Sequence, residues 1–94
     1  MFKINFLLQA TRVLNIGNYD EDELGMIYNF ISTVDNVILN YYYSSNTIFS
    51  YSSDLELYVE IVNTLIRIYE EKEEYEKCSL LKIKREESIK ILNI

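Results

Sequence analysis

The sequence predicts an all-α protein, a single helical domain over residues 1–94. We expect a small bundle of three or four helices, with an antiparallel helical hairpin in the C-terminal half. The chain contains no proline and only two glycines, whereas strand-rich folds need many turns that use both residue types. Hydrophobic residues make up 49% and charged residues 26% of the chain, which is an ordinary globular composition. Apolar residues also recur at steps of three and four, the spacing of an amphipathic helix.

The first segment, residues 2–16, is compatible with a strand or a helix. An alternating apolar set suits a half-buried strand: Phe2, Ile4, Phe6, Leu8 and Ala10. A second set falls at helical spacing: Phe6, Leu7, Ala10, Val13 and Leu14. We favour the helix because its pattern runs further and no hairpin partner lies nearby. Gly17 then suits the C-terminal cap, and Asp20 suits the N-cap of the next helix.

Residues 21–43 are predicted to form one continuous helix. Acidic residues occupy positions 20–23, where a helix N-terminus favours negative charge. The predicted buried face consists of Leu24, Ile27, Ile31, Val34, Ile38 and Tyr41. Residues 44–53 then have the composition of a loop, and Ser53 or Asp54 is expected to cap the following helix, with Glu56 close behind.

Helical spacing resumes after this loop and extends towards the C-terminus. The first apolar stripe comprises Leu55, Tyr58, Val62, Leu65, Ile66 and Tyr69. The charged stretch EEKEEYEK at residues 70–77 fits either a tight turn or a solvated part of one long helix. A second stripe begins with Tyr75, Cys78 and Leu81, and it continues less regularly to Ile89 and Leu92.

Residues 75–82, YEKCSLLK, resemble the second-helix core of the UVR motif, the helical hairpin of bacterial excision-repair proteins. That core reads aromatic, Glu, any residue, two small residues, any residue, Leu and Arg. The matching positions here are Tyr75, Glu76, Cys78, Ser79, Leu81 and Lys82. The segment LYVEIVNTLIRIYEEKEE before it resembles the first helix of the motif and its acidic turn.

The resemblance covers at most residues 55–92. Leu80 and Ile83 stand where the family usually has polar residues, which puts the packed face of the second helix in question. In the family this hairpin makes protein–protein contacts and has no catalytic role. The resemblance therefore implies a turn near Glu73 and a role in protein interaction, and we do not extend it to DNA repair.

The residues needed for catalysis or metal binding are scarce in this chain. It contains no histidine, the usual general base near neutral pH and the commonest transition-metal ligand. Cys78 is the only cysteine, so an intramolecular disulfide is impossible, and we expect a buried apolar residue rather than a reactive thiol. We predict that the protein is not an enzyme, with no catalytic residue, metal or cofactor.

The composition also bears on location and source. No uncharged apolar run reaches the roughly 18 residues of a membrane span, and the opening MFKINFLLQA is too short and too polar for a secretory signal. We therefore expect a cytoplasmic protein without a membrane partner. The abundance of Ile, Asn, Tyr and Lys is typical of an AT-rich genome, such as that of a low-GC bacterium, its phage or another mobile element. A phage-encoded protein would act in the host cytoplasm.

The stretch NYYYSSNTIFSYSSD at residues 40–54 is the main candidate for function. Tyr with Ser and Asn is the composition of antibody binding loops, where tyrosine gives a large amphipathic contact area at low entropic cost. The predicted partner-binding residues are Tyr41, Tyr42, Tyr43, Phe49, Tyr51 and Tyr58. Closure of the core by some of these rings and a small-ligand site are the alternatives. The expected function is protein binding as an adaptor, an assembly subunit or an inhibitor of a larger complex.

The charge distribution offers a second hypothesis. The net charge is −6, and nucleic-acid binding relies on Lys and Arg, so we expect no direct nucleic-acid partner. The middle of the chain is acidic and residues 77–94 are basic, which suits antiparallel packing or a homo-oligomer. The alternative function is an inhibitor that imitates nucleic acid and occupies a basic groove of a DNA- or RNA-handling enzyme. Its acidic surface would comprise Asp20, Glu21, Asp22, Glu23, Glu70, Glu71, Glu73 and Glu74; ordinary helix-end charges and a solvated helix face are the simpler interpretations.

Overall fold

The computed structural model describes residues 2–45 and 53–93, with side chains from residue 6 onward. The described ranges contain five helices: α1 (Phe2–Ile16), α2 (Glu21–Thr33), α3 (Asn36–Ser44), α4 (Asp54–Glu71) and α5 (Tyr75–Leu92). No β-strand occurs in these ranges, so the predicted all-α class is confirmed. The described residues form five helices rather than the predicted three or four.

The first segment, for which the sequence allowed a strand or a helix, forms helix α1, as we favoured. Its buried residues Leu7, Ala10 and Leu14 follow helical spacing. The helix ends where Gly17 adopts a φ of +77° and its N–H donates to the Val13 carbonyl at 3.1 Å. Glycine enters this left-handed region without the steric cost of a side chain, so the predicted cap is confirmed.

The continuous helix predicted over residues 21–43 is wrong, because the chain leaves the helical conformation at Val34 and Asp35. The Asp35 carboxylate accepts a hydrogen bond from the Ile38 N–H at 3.0 Å and starts α3 as its N-cap. Aspartate competes with the helical backbone in this way. The Lys84 ammonium of α5 donates to the Val34 carbonyl at 2.6 Å, so tertiary structure satisfies an acceptor that the break leaves free.

The break changes which side chains of α3 face the core. Leu39 and Tyr42 are fully buried, whereas the predicted Ile38 is only partly buried and Tyr41 is exposed. Two extended residues rotate the helical phase, so each buried position moves by one residue along the chain. Further back, Leu24, Ile27, Ile31 and Val34 are buried as predicted.

Helices α4 and α5 form the predicted antiparallel hairpin. Lys82 pairs with Glu70 at 3.5 Å and Arg85 donates to Asn63 at 3.3 Å, so the two helices run in opposite directions. The turn between them includes Glu73, whose φ is +61°. The N–H of residue 73 donates to the Glu70 carbonyl at 3.0 Å and that of residue 74 to the Tyr69 carbonyl at 2.9 Å, the hydrogen bonds of a Schellman cap.

Helix α4 is the centre of the bundle and packs against α1, α3 and α5, while α2 packs against α5. Ser53 caps α4 through a capping box with Glu56, as predicted. The buried apolar residues form one core: Leu7, Ala10, Leu14, Leu24, Ile27, Ile31, Val34, Leu39, Tyr42, Leu55, Tyr58, Ile61, Val62, Leu65, Ile66, Tyr69, Cys78 and Leu81. Of the predicted α5 stripe, Tyr75 and Ile89 are exposed instead, and Leu92 is partly buried. Over the described residues, no helix combines the length and the apolarity that crossing a bilayer requires.

Candidate protein-binding site

The tyrosine-rich segment is divided between the surface and the core. Tyr41 and Tyr43 at the end of α3 are 44% and 46% exposed. Tyr42 and Tyr58 are fully buried, with ring centroids 6.0 Å apart, so these two rings close the core and leave no surface for a partner. Phe49 and Tyr51 lie outside the described residues. Tyr41 and Tyr43 are therefore the predicted contact residues that the described structure exposes.

The two buried tyrosines are held in their protonated form. Burial raises the pKa of Tyr42 to about 12, and the nearby charge of Asp54 acts in the same direction. Burial also raises the pKa of Tyr58, assisted by the charge of Glu87. Neither hydroxyl has a hydrogen-bond partner within the described part of the chain. Both rings therefore contribute apolar contact, and their hydroxyls are unsuited to proton transfer near neutral pH.

Asp54 joins the two described ends of the tyrosine-rich segment. Its N–H donates to the Ser45 carbonyl at 2.8 Å, and the Ser45 hydroxyl donates to its carboxylate Oδ2 at 2.8 Å. The carboxylate is buried at the first turn of α4, where the helix dipole stabilises its charge. Ser45 and Asp54, on either side of this part of the chain, are therefore held together by two hydrogen bonds.

The two predicted acidic clusters lie together at one end of the molecule. Residues 20–23 begin α2 and residues 70–74 end α4, and an ion pair between Lys72 and Glu21 joins them. Beneath this pair, the rings of Tyr28 and Tyr69 meet with centroids 5.5 Å apart, and the Lys77 ammonium lies over both. We call residues 20–23 and 70–74 the acidic pole. Its two parts are some fifty positions apart in the sequence.

Several carboxylates of the acidic pole have structural roles. Asp20 accepts from the Glu23 N–H at 2.8 Å, and Glu23 accepts from the Asp20 N–H at 3.1 Å, which forms a capping box. Glu74 pairs with Lys77 at 3.0 Å. Among the described residues, no group of three or more Asp, Glu, Cys or His side chains converges to hold a metal ion. The pole is therefore a charged surface.

A shallow apolar groove runs between α1 and α2. Phe6 near the start of α1 meets Phe30 near the end of α2, and Val13 and Glu23 line the same groove, so the two helices run in opposite directions along it. The groove encloses about 120 Å³ and is lined by Phe6, Gln9, Ala10, Val13, Glu23, Met26 and Ile27. At one end the rings of Phe6 and Phe30 pack with centroids 4.1 Å apart, and Glu23 stands at the other. We call this feature the α1–α2 groove.

The walls of the α1–α2 groove stay accessible because α1 and α2 bury their apolar residues on other helices. The Met26 side chain is 65% exposed, while Phe6 and Val13 are only partly buried. Ala10 lies on the floor, and its small side chain leaves room above it. Sequence reasoning missed this site, although Met26 and Phe30, both off the predicted buried face of α2, were the signal that α2 has a second apolar side.

A larger cleft of about 240 Å³ lies between α1 and α4 and has a polar lining. Its residues are Thr11, Leu14, Asn15, Glu60, Ile61, Asn63 and Thr64. The hydroxyls of Thr11 and Thr64 donate to carbonyls of their own helices, and Asn63 accepts from Arg85. These three side chains therefore already have hydrogen-bond partners within the protein.

Cys78 is buried, as predicted. Its thiol donates to the Ile66 carbonyl at 3.7 Å, and burial raises its pKa, so the nucleophilic thiolate is disfavoured.

Comparisons with protein-family models, curated proteins and solved structures find no match to this chain. The function must therefore be argued from the surfaces themselves.

Proposed function

We propose that this protein is a non-enzymatic module that binds another protein through the α1–α2 groove. The observation that carries the proposal is an accessible concave surface whose walls are apolar, with Met26, Phe6 and Val13 around the floor formed by Ala10 and Ile27. Covering apolar surface stabilises a complex by about 25 cal/mol per Å² before the costs of association. Apolar side chains that fit a pocket are also typical anchors of protein interfaces.

The exposed residues of α3 form a second surface that supports an interaction role. Tyr41 and Tyr43 at the end of this helix are both exposed. We propose that Tyr41 and Tyr43 contribute to self-association, which sedimentation of the wild type and a Tyr41→Ser, Tyr43→Ser variant would measure. The resemblance of residues 55–92 to the UVR hairpin favours an interaction role as well. The module would serve as an adaptor, an assembly subunit or an inhibitor in the cytoplasm, and AT-rich coding favours a phage or mobile-element origin.

Affinity capture with matched variants tests the groove. Met26→Lys places a charge on its wall, whereas Val37→Lys makes the same change at an exposed apolar residue of α3. We expect a partner retained by the wild type and by Val37→Lys to be lost with Met26→Lys. Circular dichroism would show that both variants keep their helices. Equal retention by all three proteins would refute the groove as the binding surface.

The second candidate function is imitation of nucleic acid, and one observation favours it. The fold brings residues 20–23 and 70–74 to the same end, so carboxylates that are distant in sequence form one negative surface. A protein with a basic groove would be attracted to it, and this attraction weakens as salt screens the charges.

Neutralising carboxylates outside the capping box and the ion pairs tests this alternative. Asp22→Asn, Glu71→Gln and Glu73→Gln remove three exposed charges and leave Asp20, Glu23 and the lysine contacts in place. Imitation of nucleic acid predicts that this triple variant loses an enzyme partner that the Met26→Lys variant retains. A partner that Met26→Lys loses and the triple variant retains would support binding through the groove and refute imitation of nucleic acid.

A further inference from the structure

The α1–α2 groove opens at one end onto the acidic pole. Glu23 lines the groove and also belongs to the acidic residues of the first turn of α2. Phe6 and Phe30 stack at the opposite end. The groove therefore has aromatic rings at one end and, at the other, the Glu23 carboxylate, which continues into the acidic residues 20–22.

We propose that the occupant of the α1–α2 groove is an amphipathic helix of a partner protein, with Lys or Arg beside its apolar face at the end that lies over residues 20–23. This inference rests on the proposed function, because it specifies the partner of the same groove. It combines two properties, apolar contact along the groove and opposite charge at its acidic end.

The shape of the groove favours a helical occupant. From Phe6 to Val13 the groove follows eight residues of α1, and their seven steps of 1.5 Å give a length of about 10 Å. Two turns of a partner helix span this length, with apolar anchors at positions i, i+3 or i+4, and i+7. A helix satisfies its own backbone hydrogen bonds, whereas an extended peptide gains most from a sheet edge, and the described ranges contain no strand.

The charge at the acidic end favours a basic occupant. Residues 20–23 supply four carboxylates, and only Glu21 forms an ion pair within the described structure, with Lys72. Arg12 precedes Val13 on α1, so the charge around this end stays negative even when Arg12 and Lys72 are counted. A neighbouring Lys or Arg on the partner would meet a favourable field.

A second copy of this chain is a poor candidate for the same occupant. Each copy has a net charge of −6, so two copies repel one another at long range. Four of the five basic residues of α5 also have contacts within the chain: Lys77 with Glu74, Lys82 with Glu70, Lys84 with the Val34 carbonyl and Arg85 with Asn63. A different protein supplies the missing positive charge more readily.

Nuclear magnetic resonance titration tests the inference with peptides of known sequence. The probe is a designed helical peptide with leucines at i, i+3, i+4 and i+7 and lysines on its flanks, and the control peptide carries glutamate in place of each lysine. We expect the lysine peptide to shift amide signals of α1 and α2, and the glutamate peptide to bind at least roughly tenfold more weakly, since several charge interactions change sign.

Variants of the protein locate the contact. Met26→Lys should weaken binding of the lysine peptide by about tenfold, the factor that corresponds to 1.4 kcal/mol, while Val37→Lys leaves it unchanged. Asp22→Asn should weaken it roughly twofold to fivefold, the range of an exposed charge pair, and added salt should do the same.

The possible outcomes separate this inference from the proposed function. Equal binding of the two peptides, or shifts centred on α3 or α5, would overturn the basic helical partner. If Met26→Lys still abolishes capture of a natural partner, the groove remains the binding surface and only the partner chemistry fails. If Met26→Lys affects neither peptide binding nor capture, both proposals fail together.

Discussion

Replacing Glu73 by glycine should stabilise the protein, because this residue occupies the left-handed position after a helix at which glycine is favoured. Glu73 has a φ of +61° in the turn between α4 and α5. An L-residue in the left-handed conformation is disfavoured by roughly 1–2 kcal/mol, and glycine is free of this cost. Glycine also makes the unfolded chain more flexible, which costs about 0.4–1 kcal/mol.

The difference between these two effects is a net stabilisation of about 0.5–1 kcal/mol. For a domain of this size, the melting temperature should rise by about 3–6 °C. The sign of the change tests the turn itself. If residues 54–92 formed one continuous helix, the same glycine would lower stability by roughly 1 kcal/mol relative to alanine.

Thermal and urea unfolding, followed by far-ultraviolet circular dichroism, would measure the change. Glu71→Gly, at the last helical residue of α4, is the matched control and should destabilise the protein. Glu73→Gln removes the same charge without altering backbone preference, so it should change the free energy of unfolding by only about 0.5 kcal/mol or less. A melting temperature that falls with Glu73→Gly as it does with Glu71→Gly would refute the turn.

The remaining predictions concern the core, the pH dependence of stability and the break between α2 and α3. Tyr42→Phe removes a buried hydroxyl that has no partner in the described structure, so urea unfolding should show little loss of stability, or a gain of about 1 kcal/mol; Tyr42→Ala should cost about 3–5 kcal/mol, and a similar loss in both variants would contradict this reasoning. The raised pKa values of Tyr42, Tyr58 and Tyr69 mean that these groups lose protons first in the unfolded chain, so the stability that they contribute should be constant below about pH 10 and fall as the pH rises towards about 12. Tyrosinate absorbance of the folded protein should then show late-titrating groups, and uniform titration at the ordinary tyrosine pKa would be inconsistent with their burial. Asp35→Ala removes the N-cap of α3 and should cost about 1 kcal/mol, seen as a lower melting temperature, whereas Asp35→Asn should retain most of the stability; equal stability of Asp35→Ala and the wild type would indicate that the cap is not formed.

Elements that depend on local sequence signals were the most predictable part of this fold. Helix α4 follows its periodic pattern, and each predicted residue of its stripe, from Leu55 to Tyr69, is buried. The caps at Asp20 and Ser53 also follow from nearby residues alone, since each donor and acceptor lies within three positions. Such contacts form within one turn, so the sequence contains everything needed to infer them.

The break at Val34 and Asp35 depends on a partner that the local sequence does not contain. Asp35 is exposed, and in a sequence it resembles any polar residue on the outer face of a helix. The Val34 carbonyl finds its donor in Lys84, fifty positions away. Only the packing of α5 against this region makes two short helices an acceptable alternative to one long helix.

The residues of the candidate surfaces could be identified in the sequence, but their arrangement in space could not. Both acidic clusters could be recognised in the sequence, but their meeting depends on the contact between Glu21 and Lys72. Tyr42 could be assigned to surface or core only after the helical phase of α3 was known. The α1–α2 groove needed the relative positions of two helices, because Phe6 and Val13 follow the pattern of ordinary core residues.

Site-specific photocrosslinking tests the central claim most directly. A photoreactive amino acid replaces Met26 in one protein and Val37 in another, and each is irradiated in lysate of the source cell before mass spectrometry of the adducts. We predict that residue 26 crosslinks to one protein, at a segment with helical apolar spacing and flanking Lys or Arg, whereas residue 37 gives no such adduct. No adduct at residue 26, or the same adducts at both positions, would contradict binding through the α1–α2 groove.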